Sequence, residues 1–150
     1  LMIKVDVLLK DKNWKKYISN PKKYLESKVK LINGSLRFIK NKKISFSILL
    51  GGHEEIKKLN KKYRKKNKST DVLSFPFYEI KNLKKIKNKN IYLGDVILNF
   101  YKIDKKNFKR NFNKLWIHGF LHLLGYRHHK NKDYYKMHRI ENLMLKKIEK

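Results

Sequence analysis

Near the start of the chain apolar residues alternate with charged ones: Ile3, Val5 and Val7 are separated by Lys4 and Asp6. A period of two sends successive side chains to opposite faces of a sheet, so residues 3–9 are predicted as a strand. Residues 44–50, Ile-Ser-Phe-Ser-Ile-Leu-Leu, alternate and then become wholly apolar, as a strand entering a covered sheet does, and Gly51-Gly52 breaks it. Val72-Leu73-Ser74-Phe75, stopped by Pro76, and residues 92–98 are two further strand candidates. Between these segments the period changes. After Asn20-Pro21, Tyr24, Leu25, Val29 and Leu31-Ile32 recur at helical spacing until Asn33-Gly34. Residues 53–64 place Ile56, Leu59, Asn60 and Tyr63 on one face of a second helix. From about residue 107 to the end the pattern predicts two helices, separated by Gly125 and the residues after it. The Lys/Asn-rich stretches 65–69 and 81–90 are predicted as solvated loops. The order β-α-β-α-β-β-α-α points to an α+β fold: a mixed β-sheet packed with helices in one domain over residues 1–150.

Composition supports this picture and adds limits. With 150 residues, 41% of them hydrophobic and 13% aromatic, the chain has material for one real core. It has no cysteine, which excludes disulfides and thiolate metal sites. Lys4 and Asp6 interrupt the apolar N-terminal residues, so no signal-peptide core is expected there. Nor does any stretch run for about 18 apolar residues, the length a membrane span needs. These features predict a soluble, cytoplasmic protein.

The formal net charge of +28 attracts polyanions, of which nucleic acid is the commonest in a cell. Yet only Arg37, Arg64, Arg110, Arg127 and Arg139 are arginines, and the chain is crowded with Lys, Asn and Ile. That bias is also what drift in an AT-rich coding sequence produces, so charge by itself is a weak pointer to RNA.

The specific chemistry sits in His118-Gly119-Phe120-Leu121-His122-Leu123-Leu124-Gly125-Tyr126-Arg127-His128-His129. Helical residues four apart share a face, so His118 and His122 can aim two imidazoles at one point. Gly125 stands where a helix ends in a left-handed residue, after which the chain can turn and bring in His128. His129 is the alternative third donor, but the register favours His128. Trp116, Ile117, Leu121, Leu123 and Leu124 would line this site with apolar wall, where lone imidazoles are costly and metal ligation gives them partners. A single helical His is usually a surface or core residue, and His53 and His138, which lack such spacing, are read as ordinary surface or helix residues. The spacing H-x3-H-x2-G-x2-H is that of a zincin-like metal-binding helix with three neutral nitrogens and an open fourth position, a catalytic zinc arrangement. A zinc peptidase would carry its glutamate base at position 119. Gly119 cannot move a proton, which disfavours peptide hydrolysis.

Read with the middle of the chain, these residues resemble the YbeY family of bacterial endoribonucleases and rRNA maturation factors. HGFLHLLGYRHH from His118 is similar to the family's H-G-x-L-H-L-x-G-Y-D-H. Leu59-Asn60-x-x-Tyr63-Arg64 and Thr70-Asp71-Val72-Leu73-Ser74-Phe75-Pro76 resemble its LNxxYR and TDVLSFP blocks. Leu93-Gly94-Asp95-Val96 resembles its LGD[IV] strand, and Met137 and Glu141 keep its C-terminal M-x3-E spacing. The first fifty residues carry no motif. The resemblance implies one Zn2+ per chain on His118, His122 and His128, in a cleft where Arg64 faces the metal. It implies single-strand-specific cleavage of RNA, in small-subunit rRNA 3′-end maturation and ribosome quality control. The implied partners are rRNA and the ribosomal small subunit, with neither DNA nor membrane.

An arginine fork matches a phosphodiester's oxygens, so Arg64 is the candidate catalytic and substrate-holding residue; a surface salt bridge is the plain alternative. Ser74 and Asp71 are candidates for shaping the pocket, although Asp71 after Thr70 suits a structural turn equally well. Arg127 departs from the family, which usually has an acidic residue there. It either weakens metal binding by replacing a carboxylate that orients a ligand, or contacts RNA directly. The competing function is a non-catalytic basic rRNA-binding assembly factor with a structural zinc.

Overall fold

The alternating segments pair into one four-stranded sheet of β1 (Met2–Leu9), β2 (Lys43–Gly51), β3 (Val72–Pro76) and β4 (Asn90–Asn99), in the order β1-β2-β4-β3. The computed structural model describes residues 2–35, 42–64, 70–78, 86–127 and 131–149, with Arg64 described by its backbone only. β1 and β2 run parallel, as do β2 and β4, while β3 lies antiparallel on β4 at the sheet edge. The sheet is therefore mixed, as predicted. A parallel pair needs a crossover connection, and α1 (Pro21–Leu31) supplies the one between β1 and β2. Its start follows from Asn20-Pro21. The Asn20 side chain accepts from the Lys23 N–H, and the proline takes a first-turn position where no N–H is required.

Among the described residues three more helices follow: α2 (His53–Arg64), α3 (Phe108–Leu123) and α4 (Asn131–Ile148). One face of the sheet carries Val5, Ile44, Phe46, Ile48, Ile91, Val96 and Leu98, which join the buried residues of α1, α3 and α4 in the main core. Removing such side chains from water favours folding by about 1.5–3 kcal/mol each. On the other face Leu73 and Ile97 bury Ile56 of α2 in a smaller cluster. The helices thus sandwich the sheet, and α3 lies against β3 and β4.

Two features were not visible in the periodicity. Between Ser45 and Ser47 the β2–β4 register shifts, so that Ser45 faces Tyr92 but Ser47 faces Asp95. The extra residue in β4 is a bulge that changes which positions face the core, from Ile91 and Leu93 before it to Val96 and Leu98 after it. Gly94 sits in this bulge at φ +137°, and a Cβ there would stand 2.2 Å from the Phe75 carbonyl oxygen. Only glycine fits. The second feature is a 3-10 turn, Lys12–Lys16, that drives Trp14 into the core. Trp14 Nε1 donates to the Gly51 carbonyl at 3.0 Å, and its ring packs among Phe100, Phe108 and Phe112.

β4 begins at Asn90, earlier than the predicted 92, because Asn90 and Ile91 continue the ladder to Lys43 and Ile44. Residues 65–69 and 81–85 of the predicted loops lie outside the described residues. Among the described residues no helix is long and apolar enough to cross a membrane.

Candidate functional site

His118 and His122 lie one turn apart on α3, with ring planes at 85° and Nε2 atoms 3.0 Å from each other. Each opposite nitrogen has a partner. His118 Nδ1 is 2.9 Å from Glu141 Oε1 on α4, and His122 Nδ1 is 2.9 Å from the Tyr126 carbonyl oxygen. A carbonyl oxygen and a carboxylate only accept, so these partners assign the N–H to Nδ1 in both rings. In the neutral imidazoles the lone pairs then sit on the two Nε2 atoms that face each other. Lone pairs at that distance repel unless a proton or a metal cation stands between them. Nitrogens about 2.0–2.1 Å from a tetrahedral zinc stand roughly 3.3 Å apart, so a shift of a few tenths of an ångström would admit the ion. The donor set fits: neutral imidazoles whose outer nitrogens are fixed by a carboxylate and a carbonyl.

The local sequence accounts for both outer partners. Gly125 at φ +94° ends α3, with its N–H donating to the His122 carbonyl at 2.9 Å and the Tyr126 N–H to the Leu121 carbonyl at 3.0 Å. This paired pattern is a Schellman ending, and it puts the Tyr126 carbonyl beside the His122 ring. Glu141 is delivered by packing. Met137 and Met144 are buried in the core, and Glu141 lies one turn from each on the rim of that face. The M-x3-E spacing was the available signal for Glu141; its pairing with His118 was not read from the sequence. Burial also pushes the Tyr126 phenol above its ordinary range.

Gly119 faces away from this site, into the sheet. A Cβ there would lie 2.6 Å from Val96 Cγ1 and 3.2 Å from Ser74 Oγ. The position that holds the base of a zinc peptidase is here a close approach of α3 to β4, with no room for a glutamate. Ser74, a candidate substrate contact, donates from Oγ to the Gly119 carbonyl at 3.0 Å and so ties edge strand β3 to the site helix. Asp71 uses its carbonyl oxygen to accept from the Asn99 N–H at 2.9 Å, a structural role. Arg127 is exposed, two residues beyond the Schellman glycine.

Arg64 is the last residue of α2, and its side chain lies outside what is described. His128 and His129 also lie outside the described residues, among which no group of three His, Cys, Asp or Glu side chains forms a metal cluster. His53 stacks on Tyr101 and pairs with Asn99 Nδ2 at 3.0 Å, away from the α3 histidines. His138 is different. It lies near the pair, and with His118, Tyr134, Met137 and Glu141 it lines a hollow of about 110 Å³. A wider hollow of about 540 Å³, lined by Tyr63, Phe75, Phe77, Tyr92 and Asp95 among others, lies on the α2 side of the sheet.

Comparison with known proteins agrees with these features. The family model described as Endoribonuclease YbeY matches residues 8–149. An Endoribonuclease YbeY of Pelagibacter ubique is 45% identical over 153 aligned residues, covering 98% of this chain and 97% of that protein. One from Ehrlichia chaffeensis is 32% identical over 98% of this chain and 93% of its own length. One from Thermodesulfovibrio yellowstonii is 31% identical over 99% of each. The solution structure of a Thermotoga maritima protein superposes with a TM-score of 0.59 at 25% identity, covering 98% of this chain and 89% of that one. The blocks around Leu59, Asp71, Gly94 and His118 thus lie in one continuous family match, and the chain belongs to the YbeY endoribonuclease family.

Proposed function

We propose that this chain is a zinc-dependent endoribonuclease that cuts single-stranded RNA in the cytoplasm, in small-subunit rRNA 3′-end maturation and ribosome quality control. The observation that carries the reading is the His118–His122 pair, with Nε2 atoms 3.0 Å apart and both outer nitrogens held, in a chain whose relatives are named endoribonucleases. His118, His122 and His128 would hold the ion. When bound, zinc supplies Lewis acidity that makes water a nucleophile near neutral pH and polarises a phosphoryl oxygen.

The chain's own residues do the rest. Glu141 and the Tyr126 carbonyl keep the imidazoles in one tautomer and orientation. Gly119 offers no base, which suits a nucleophile that needs none from the protein. Arg64 is assigned the phosphodiester, holding its oxygens through a bidentate fork and offsetting the charge that develops in the transition state. The excess positive charge draws the RNA in.

The test is metal analysis of purified protein followed by cleavage of structured rRNA. One zinc per chain is expected, with activity that disappears on chelation and in H118A. Cleavage that survives both changes sinks the mechanism. R64A should abolish turnover with a modest loss of RNA affinity; equal losses in both would mean a binding protein whose metal is structural.

A further inference from the structure

Tyr134 and His138 stand one turn apart on α4, with parallel rings at an interplanar angle of 6° and centroids 5.7 Å apart. Face-to-face contact needs roughly 3.5 Å between planes, so the two rings are offset and each leaves aromatic surface uncovered. Both residues are exposed, Tyr134 by 49%. The stripe they form does not end in solvent. Tyr134, His138 and Glu141 follow the i, i+4, i+7 spacing of one helix face, and Glu141 is the residue that holds His118. His118, Tyr134, His138 and Glu141 line the same small hollow, with Met137 as its apolar floor. Arg127 is an exposed cation just beyond the end of α3, whereas the exposed Lys136 and Arg139 project from the other side of α4.

We propose that Tyr134 and His138 form a stacking platform for a nucleobase of single-stranded RNA, next to the scissile phosphate. This rests on the RNA-cleaving reading above and adds to it a base subsite. Exposed flat aromatic faces suit single-stranded nucleic acid, since every base has a π-face, and the chain's net charge of +28 attracts the nucleotides' negative charge. A base inside a duplex is already stacked and cannot use them, so the platform selects unpaired RNA at the nucleotide it holds. From His138 to Glu141 is three residues, about 4.5 Å of helical rise, which sets a stacked base beside the His118 edge. In this reading Tyr134 and His138 are substrate-binding residues.

The experiment uses a short single-stranded RNA carrying 2-aminopurine, whose fluorescence is quenched when the base stacks. It is titrated into the protein, Y134A, H138A, Y134A/H138A and Y134F, with circular dichroism as the folding control. The wild-type protein and Y134F should quench the probe. Y134A/H138A should lose the quench, bind single strands about tenfold more weakly or worse, and raise KM with little change in kcat. Duplex RNA should bind all variants alike. The platform is overturned if Y134A/H138A quenches and binds like the wild type, if Y134F fails as badly as Y134A, or if duplex binding falls in parallel. The same titration in an H118A background separates the two claims. If RNA is still cut in that background and under chelation while the quench depends on Tyr134 and His138, the catalytic reading falls and the platform stands; if H118A quenches the probe without that dependence, the platform falls alone.

Discussion

His118 and His122 bring their Nε2 atoms to 3.0 Å while Glu141 and the Tyr126 carbonyl hold the far side of each ring. The arrangement is asymmetric. His122 is fixed by its own helix ending, so its partner is backbone and cannot be deleted by mutation. His118 depends on a side chain from another helix.

Glu141→Ala should therefore loosen one ring without touching the other. Loss of such an orienting partner typically costs 10- to 100-fold in metal affinity, roughly. E141Q, which keeps an acceptor but loses the charge, should fall between E141A and the wild type. Competition with a chelator of known affinity reads the order directly. Equal affinity in all three proteins would mean that the carboxylate does not support the site.

Gly119→Ala tests why a glycine occupies the middle of the site helix. Alanine raises helix propensity by up to about 1 kcal/mol, but its Cβ would meet Val96 Cγ1 at 2.6 Å in a fully buried wall. Overpacking of this kind costs about 1–3 kcal/mol, so the clash should win and G119A should unfold at lower urea. Making room with Val96→Ala should render the pair less destabilised than the sum of the two single changes. Simple additivity would mean that the close approach carries no energetic weight.

The strand and helix order was legible because both faces of the sheet are covered by apolar positions of clear period. The residues that build the site were legible for a narrower reason: a spacing of four on a helix and a glycine at its end are local facts. What escaped was non-local. Trp14 reads as a lone aromatic among lysines, and only the fold reveals the Gly51 carbonyl and three phenylalanines waiting for it. The β4 bulge arises from pairing with β2, so no periodicity within residues 90–99 announces it. Gly119 was noticed for the proton it cannot move, whereas the structure adds that Val96 leaves it no space. His138, read as an ordinary surface residue, stands beside the site because α4 folds back along α3.

RNA affinity should fall steeply as salt rises, because each phosphate neutralised by Lys or Arg releases counterions. A contact made by 6–10 cations would lose about 10³- to 10⁵-fold between 50 and 200 mM salt, and a net charge of +28 makes such a footprint easy to supply. Filter binding across that range gives the slope. A flat response would assign the lysines to compositional drift and leave recognition to the site itself.

High pH should weaken the fold through its tyrosines. Burial raises the pKa of Tyr24, whose hydroxyl donates to Asn113 Oδ1, and burial followed by Asp95 raises that of Tyr92. A raised folded-state pKa means that the native protein favours the neutral phenol. The stabilisation is fully present below the unfolded value of about 10 and is lost as pH rises through the folded value. Exposed lysines discharge over the same range and relieve self-repulsion, so the wild-type curve alone mixes two opposing effects. Tyr24→Phe separates them. It should cost about 0.5–1.5 kcal/mol at neutral pH through the lost hydrogen bond, with Asn113 Oδ1 still accepting from Trp116 Nε1. Above pH about 10 its stability should then decline less steeply than that of the wild type, so the gap between the two proteins narrows. Urea midpoints from pH 7 to 11, set to bracket that reference value of about 10, measure the gap, and one that stayed constant would remove Tyr24 from the titrating groups.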